Sequence, residues 1–143
     1  MIIHAIVWSL LATALSTPAQ AAPLEGGPQA ECAMAVAVAL DYGKGEKLSI
    51  NPQLSKTAQS PEMDCTDAFR DAGFLPYQPS ISGNSLRNRM ALFFTRATVI
   101  DPDHVTMDLG MRCGGRCGQG YRYTLEFKAN NWQITSRTPT WIS

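Results

Sequence analysis

The stretch "HVTMDLGMRCGGRCGQGYRYTLEF", His104 to Phe127, decides how this chain folds. Two runs of alternating apolar and polar residues flank Cys113-Gly114-Gly115-Arg116-Cys117, and such alternation marks half-buried strands. If Gly114 to Arg116 is a three-residue hairpin loop, Cys113 faces Cys117, Leu109 faces Tyr121, Met107 faces Tyr123 and Val105 faces Leu125. Both apolar rows then fall on one face, whereas a slip of one residue would turn one row to solvent. On the other face Asp108 meets Arg122, Thr106 meets Thr124 and His104 meets Glu126, all sensible exposed pairs.

The pattern extends on both sides. Asn130-Asn131 predicts a two-residue turn that sets Phe127 against Ile134 and Ala129 against Trp132. Upstream, "MALFFTRATVI" reads as a further strand joined through Asp101-Pro102-Asp103. The C-terminal half is thus expected to be an antiparallel meander of about four strands.

The N-terminal half reads differently. "PQAECAMAVAVALDYG" alternates in part, but alanine fills the intervening positions, and alanine favours helix over strand. Pro28 suits a first helical turn and Gly43 a stop. Ser60-Pro61-Glu62 predicts the start of a second helix over 63–72, with Cys65, Ala68, Phe69 and Ala72 on one face. "KGEKLSINPQLSKTAQ" between them is turn-rich, with one extended piece at Leu48 to Ile50, and "FLPYQPSISGNS" is a loop separating the halves. The expected fold class is α+β, N-terminal helices packed on the C-terminal meander.

The first residues, "MIIHAIVWSLLATALSTPAQA", are apolar from Ile2 to Leu15, lack Asp, Glu, Lys and Arg, and end in Ala19-Gln20-Ala21. They read as a signal peptide over 1–21, Pro18 stopping the run short of a spanning length. A short flexible leader over 22–27 then precedes a single domain over 28–143, long enough for one core. A periplasmic or secreted location follows, with no stable membrane insertion after cleavage.

The net charge is zero over 143 residues. Glu25 through Asp71 holds eight acids and four bases, and Ala72 onward eight bases and four acids, so the two halves should attract one another. Balanced totals without a basic run argue against nucleic acid as a partner. Four cysteines in an exported chain point to disulfides, of which Cys113–Cys117 follows from the hairpin and Cys32–Cys65 joins the two predicted helices.

A strand followed by Cys113-Gly114-Gly115, Cys117-Gly118, Gly120, then Trp132, Ile134 and Trp141-Ile142-Ser143 resembles the end of a group of small, uncharacterised exported bacterial proteins. The resemblance covers about a third of the chain and implies export and bacterial origin, with no activity attached. Helices ahead of a curved sheet also resemble the cystatin-like or nuclear-transport-factor-2-like cone, a likeness of fold alone.

Catalytic and metal readings have little to stand on. A redox dithiol favours two intervening residues at a helix N-terminus, and here three lie in a hairpin. Soft ligands for copper(I) would have to come from Cys113, Cys117 and Met111, with His104 on the opposite face. The expected function is a non-enzymatic binding module stabilised by disulfides, with an unknown protein or small ligand as partner, no cofactor and no metal. Arg116 at the hairpin tip and Trp141 near the chain end are its binding candidates. The alternative is a small enzyme with a pocket on the concave face of the sheet, using Asp101, Asp103 or His104 for acid–base work.

Overall fold

The computed structural model describes residues 24–76, 90–113 and 117–142. The predicted signal peptide, the first residues of the leader, most of the loop before Met90 and the hairpin tip with Arg116 lie outside the described residues. The elements run α1 (Gly27–Tyr42), β1 (Ile50–Ser55), β2 (Met63–Asp64), α2 (Thr66–Asp71), β3 (Met90–Thr95), β4 (Thr98–Asp101), β5 (His104–Cys113), β6 (Gly118–Lys128) and β7 (Asn131–Ile142). The fold is mixed α+β, dominated by one sheet in the order β2-β1-β3-β5-β6-β7, with β4 continuing the line of β3 along β5.

The hairpin of β5 and β6 has the register read from the sequence, with Leu109 opposite Tyr121, Met107 opposite Tyr123 and Val105 opposite Leu125. Met107, Leu109, Tyr123 and Leu125 are buried, and Asp108 pairs with Arg122 on the opposite face at 2.7 Å. The inner face joins Leu54, Leu92 and Phe94 to Met34, Ala35, Val38 and Ala39 of α1 and Phe69 of α2 in one apolar cluster. In α1 it is the recurrence of Cys32, Ala35, Val38 and Ala39 at helical spacing that reaches this core, so the helical period overrides the alternation in the sequence.

Four expectations are corrected. The chain does not divide into a helical half and a β half, because β1 and β2 belong to the sheet. Nor is the sheet a four-stranded meander: it has seven strands among the described residues, and β1 runs parallel to β3. The segment "INPQLS" hides its strand character because only Ile50 and Leu54 turn inward and Pro52 lacks an N–H donor.

The second helix begins at Thr66, not at 63. Met63 and Asp64 pair with Leu54 and Gln53, and the Asp64 carboxylate accepts the Thr66 N–H at 2.9 Å, so Cys65 stands just ahead of the helix rather than on its face. The last hairpin turns at Ala129-Asn130, both at positive φ (53° and 60°), and sets Phe127 against Trp132. That register is two residues from the expected one. A two-residue shift keeps every side chain on its own face, so the apolar pattern cannot distinguish the two; the tilted ring contact of Phe127 with Trp132, centroids 5.3 Å apart, favours the one adopted.

The expected attraction between the halves is carried by Glu31 with Arg96 and, at 3.9 Å, by Asp41 with Arg137. Arg96 and Ala97 lie at the break between β3 and β4, where the Arg96 N–H still donates to the Ser55 carbonyl at 2.8 Å but the Ala97 N–H needs another acceptor. The Glu31 carboxylate accepts the Ala97 N–H at 2.7 Å there.

Candidate functional site

The outer face of the sheet, away from α1, carries an unusual row. Across four neighbouring strands Phe93 of β3 stands opposite Gly110 of β5, Gly110 opposite Gly120 of β6, and Gly120 opposite Trp141 of β7. Two large rings thus bracket two glycines, with about 14 Å between the outer Cα positions at ordinary strand spacing. Gly118, two residues before Gly120 on β6 and on the same face, completes a glycine floor.

These glycines are there for room, not for backbone freedom, since none of the three has a positive φ. A Cβ on Gly120 would run into the five-membered ring of the Trp141 indole. One on Gly118 would meet Cζ3 and Cη2 at 2.9 and 3.0 Å, and one on Gly110 would touch Cζ2 at 3.4 Å. Atoms from every part of the indole lie over the three positions, so the ring lies across the floor and its other face looks outward. Trp141 remains 42 % exposed.

A cleft of about 430 Å³ opens between this indole and Phe93. Its rim carries Ser55, Thr95, Thr140, Asp108 and Arg112. The Asp108 carboxylate is held by Arg122 at 2.7 and 2.9 Å, and this pair keeps the Arg122 guanidinium above its ordinary pKa. The Arg112 guanidinium stands 5.7 Å from the Phe93 ring centroid and pairs with no carboxylate among the described residues. Arg112 faces Gly118 across the hairpin, so its side chain rises beside the six-membered edge of the indole.

The cysteines frame this site. Cys113 and Cys117 form a disulfide with Cα atoms 5.1 Å apart, and the Cys113 N–H donates to the Cys117 carbonyl at 3.2 Å. The bridge closes the end of β5 and β6 next to Arg112 and Gly118. Cys32 and Cys65 form the other disulfide, Cα to Cα 5.3 Å, between α1 and the start of α2.

Asp101, Asp103 and His104 sit together on the turn between β4 and β5. The two acids are exposed there and the imidazole is 41 % exposed. Asp101 accepts the Asp103 N–H at 2.9 Å and bonds His104 Nδ1 at 2.8 Å. The hydrogen bond to Asp101 raises the His104 pKa above its ordinary value, and the bond from His104 lowers that of Asp101. Their geometry is that of a braced turn facing solvent.

A second polar feature lies on the inner face, where Tyr123 is fully buried. Its hydroxyl forms no hydrogen bond of ordinary geometry, although Asp41 and Arg137 stand close enough to act on its charge. Burial pushes the phenol up to about 12. Beside it, Tyr42, Gln119 and Tyr121 are linked by hydrogen bonds between α1 and β6.

The sequence singled out Trp141 and the cysteines of this site, and it missed Phe93, Gly110 and Arg112. The signal for them was an unexplained pair of glycines, Gly118 and Gly120, in strand positions where glycine weakens a sheet unless something lies close above it. Among the described residues no group of three or more His, Cys, Asp or Glu is placed to hold a metal, and no helix is long and apolar enough to cross a membrane. No family model, curated protein or solved structure matches the chain.

Proposed function

We propose that this protein is a binding module, exported to the periplasm or beyond the cell, that uses the outer-face cleft between Phe93 and Trp141. The observation that carries the reading is the row Phe93, Gly110, Gly120, Trp141: three glycine positions leave room for an indole whose outward face is left to solvent. Aromatic walls, a few polar groups at the rim and a preformed backbone are the usual make-up of a small-ligand site. The Cys113–Cys117 bridge supports it by fixing the strand ends under the indole.

Export accounts for the apolar first residues and for two disulfides, which persist in oxidising compartments. Gly118, Gly120 and Trp141, which build floor and wall, also belong to the block that resembles small exported bacterial proteins, and membership of that group is part of the proposal. We prefer the binding reading to the enzyme one because Asp101 and Asp103 are exposed on a turn and His104, 41 % exposed, is bonded to Asp101.

Ligand-detected NMR with a mixed library of small saccharides, short peptides and aromatic acids tests the reading. Binders are expected to lose their signal with Trp141→Ala and Gly120→Val and to keep it with Trp132→Phe, whose indole lies on the inner face. A library without binders, or binders indifferent to Trp141, would overturn it.

A further inference from the structure

We infer that the ligand of this cleft is an acidic saccharide, a pyranose carrying a carboxylate, with its ring on Trp141 and its carboxylate on Arg112; the inference rests on the reading of the cleft as the binding site.

Three observations converge on that class. The indole lies across Gly110, Gly118 and Gly120, so it offers one flat, open face, the surface against which the C–H face of a sugar ring packs. The rim beside it presents the hydroxyls of Ser55, Thr95 and Thr140, of which Thr95 Oγ1 already accepts the Asp108 N–H at 3.1 Å; as donors and acceptors spread along the rim they match the several hydroxyls of a sugar better than the unsubstituted ring of an aromatic acid. The third observation is charge. Asp108 is already held by Nε and Nη2 of Arg122, while Arg112 lies over the Phe93 ring and meets no carboxylate among the described residues. A guanidinium stacked on a ring is oriented and incompletely hydrated, and its planar fork fits a carboxylate with two parallel bonds.

Placement decides between one ligand and two. Arg112 is directly opposite Gly118, and Gly118 lies under Cζ3 and Cη2 of the indole. Neighbouring strands stand about 4.8 Å apart, close to the width of a pyranose. A sugar ring on the indole therefore brings a carboxylate on its own carbon frame to the guanidinium without a linker. One arginine without a carboxylate among the described residues of this rim also matches one negative charge, which fits a monoacid unit better than the closely spaced charges of a phosphate polymer.

The test uses the exported chain with both disulfides intact and three probes: trigalacturonate, the neutral trisaccharide maltotriose, and benzoate. Calorimetric titration is expected to give trigalacturonate an affinity about tenfold or more above maltotriose, a preference that falls as salt is added. Arg112→Gln is expected to bring the two trisaccharides within about twofold, and Arg112→Lys to restore part of the gap. Equal affinity for the two sugars, a preference that survives Arg112→Gln, or benzoate binding as tightly as the sugar acid would overturn the inference. Failure here and failure of the cleft itself are distinguishable. Trp141-dependent binding of maltotriose or benzoate keeps the cleft and removes the acidic saccharide, whereas loss of Trp141 dependence for every probe removes both.

Discussion

The carboxylate of Glu31, 1 % exposed, accepts bonds from Nε and Nη2 of Arg96 at 2.7 and 2.9 Å and a third from the Ala97 N–H. One buried side chain of α1 thereby supplies the backbone partner that the sheet lacks where β3 passes into β4. Removing it leaves the Arg96 guanidinium without a carboxylate, its Nη1 still on the Pro61 carbonyl at 2.7 Å, and takes the acceptor from the Ala97 amide at once. Glu31→Ala is expected to destabilise the protein by about 3–5 kcal/mol, and Glu31→Met with Arg96→Met by less than Glu31→Ala alone, since the double variant leaves no unpaired charge. Urea unfolding checks both; a single variant within about 0.5 kcal/mol of the parent would contradict the arrangement.

The two disulfides should differ in weight. Cys32 and Cys65 are separated by 33 positions, Cys113 and Cys117 by four. In the chain-entropy picture, replacing the first pair by serine costs about 4 kcal/mol and replacing the second about 2 kcal/mol. Thermal unfolding of the two double variants checks the order, and the opposite order would contradict it. Loss of the short bridge is expected to weaken ligand binding more than its stability effect, because it closes the strand ends beside Arg112 and Gly118.

Tyr123 gives a pH dependence with a definite sign. Its pKa rises from 10.0 to about 12 on folding, so the folded state resists losing the phenolic proton. Stability from this residue is fully present below pH 10 and is lost as pH rises through about 12. Tyr123→Phe removes a buried hydroxyl that lacks a hydrogen bond, so it is expected to leave stability near neutrality unchanged or raised by up to about 1 kcal/mol, and to flatten the alkaline decline. Urea midpoints of the two proteins from pH 9 upward supply the comparison. Parallel curves would show that Tyr123 does not carry the effect.

At the β4–β5 turn, His104 titrates above its ordinary value because it is bonded to Asp101. The raised pKa means that the contact favours the fold below the ordinary histidine value and fades as pH rises through the folded one. Asp101→Asn is expected to bring the His104 pKa down towards 6.5, read from the imidazole proton shifts by NMR. An unchanged titration would show that the pair does not form in solution.

How much of this was legible follows from what each feature depends on. The β5–β6 register was, because a one-residue error there would have exposed either Met107 and Leu109 or Tyr123 and Leu125. The turn at Ala129-Asn130 was not, because a two-residue error leaves the faces unchanged. β1 and β2 escaped because their strand character comes from tertiary pairing: "INPQLS" carries a proline and two inward side chains, and Met63–Asp64 is too short to show any period. At the candidate site, Trp141 could be singled out by its place near the chain end. Its partners Phe93 and Gly110 lie 48 and 31 positions earlier, and only the strand order brings them into one row.

The most direct test of the cleft is a nitrogen–proton NMR spectrum of the protein, both disulfides formed, titrated with trigalacturonate. The account expects the Trp141 indole N–H and the amides of Gly110, Gly118 and Gly120 to shift together. The Trp132 indole N–H, which donates to the Glu25 carbonyl at 3.1 Å on the inner face, should stay in place. Shifts centred on Trp132, or a spectrum unmoved at saturating sugar, would contradict it.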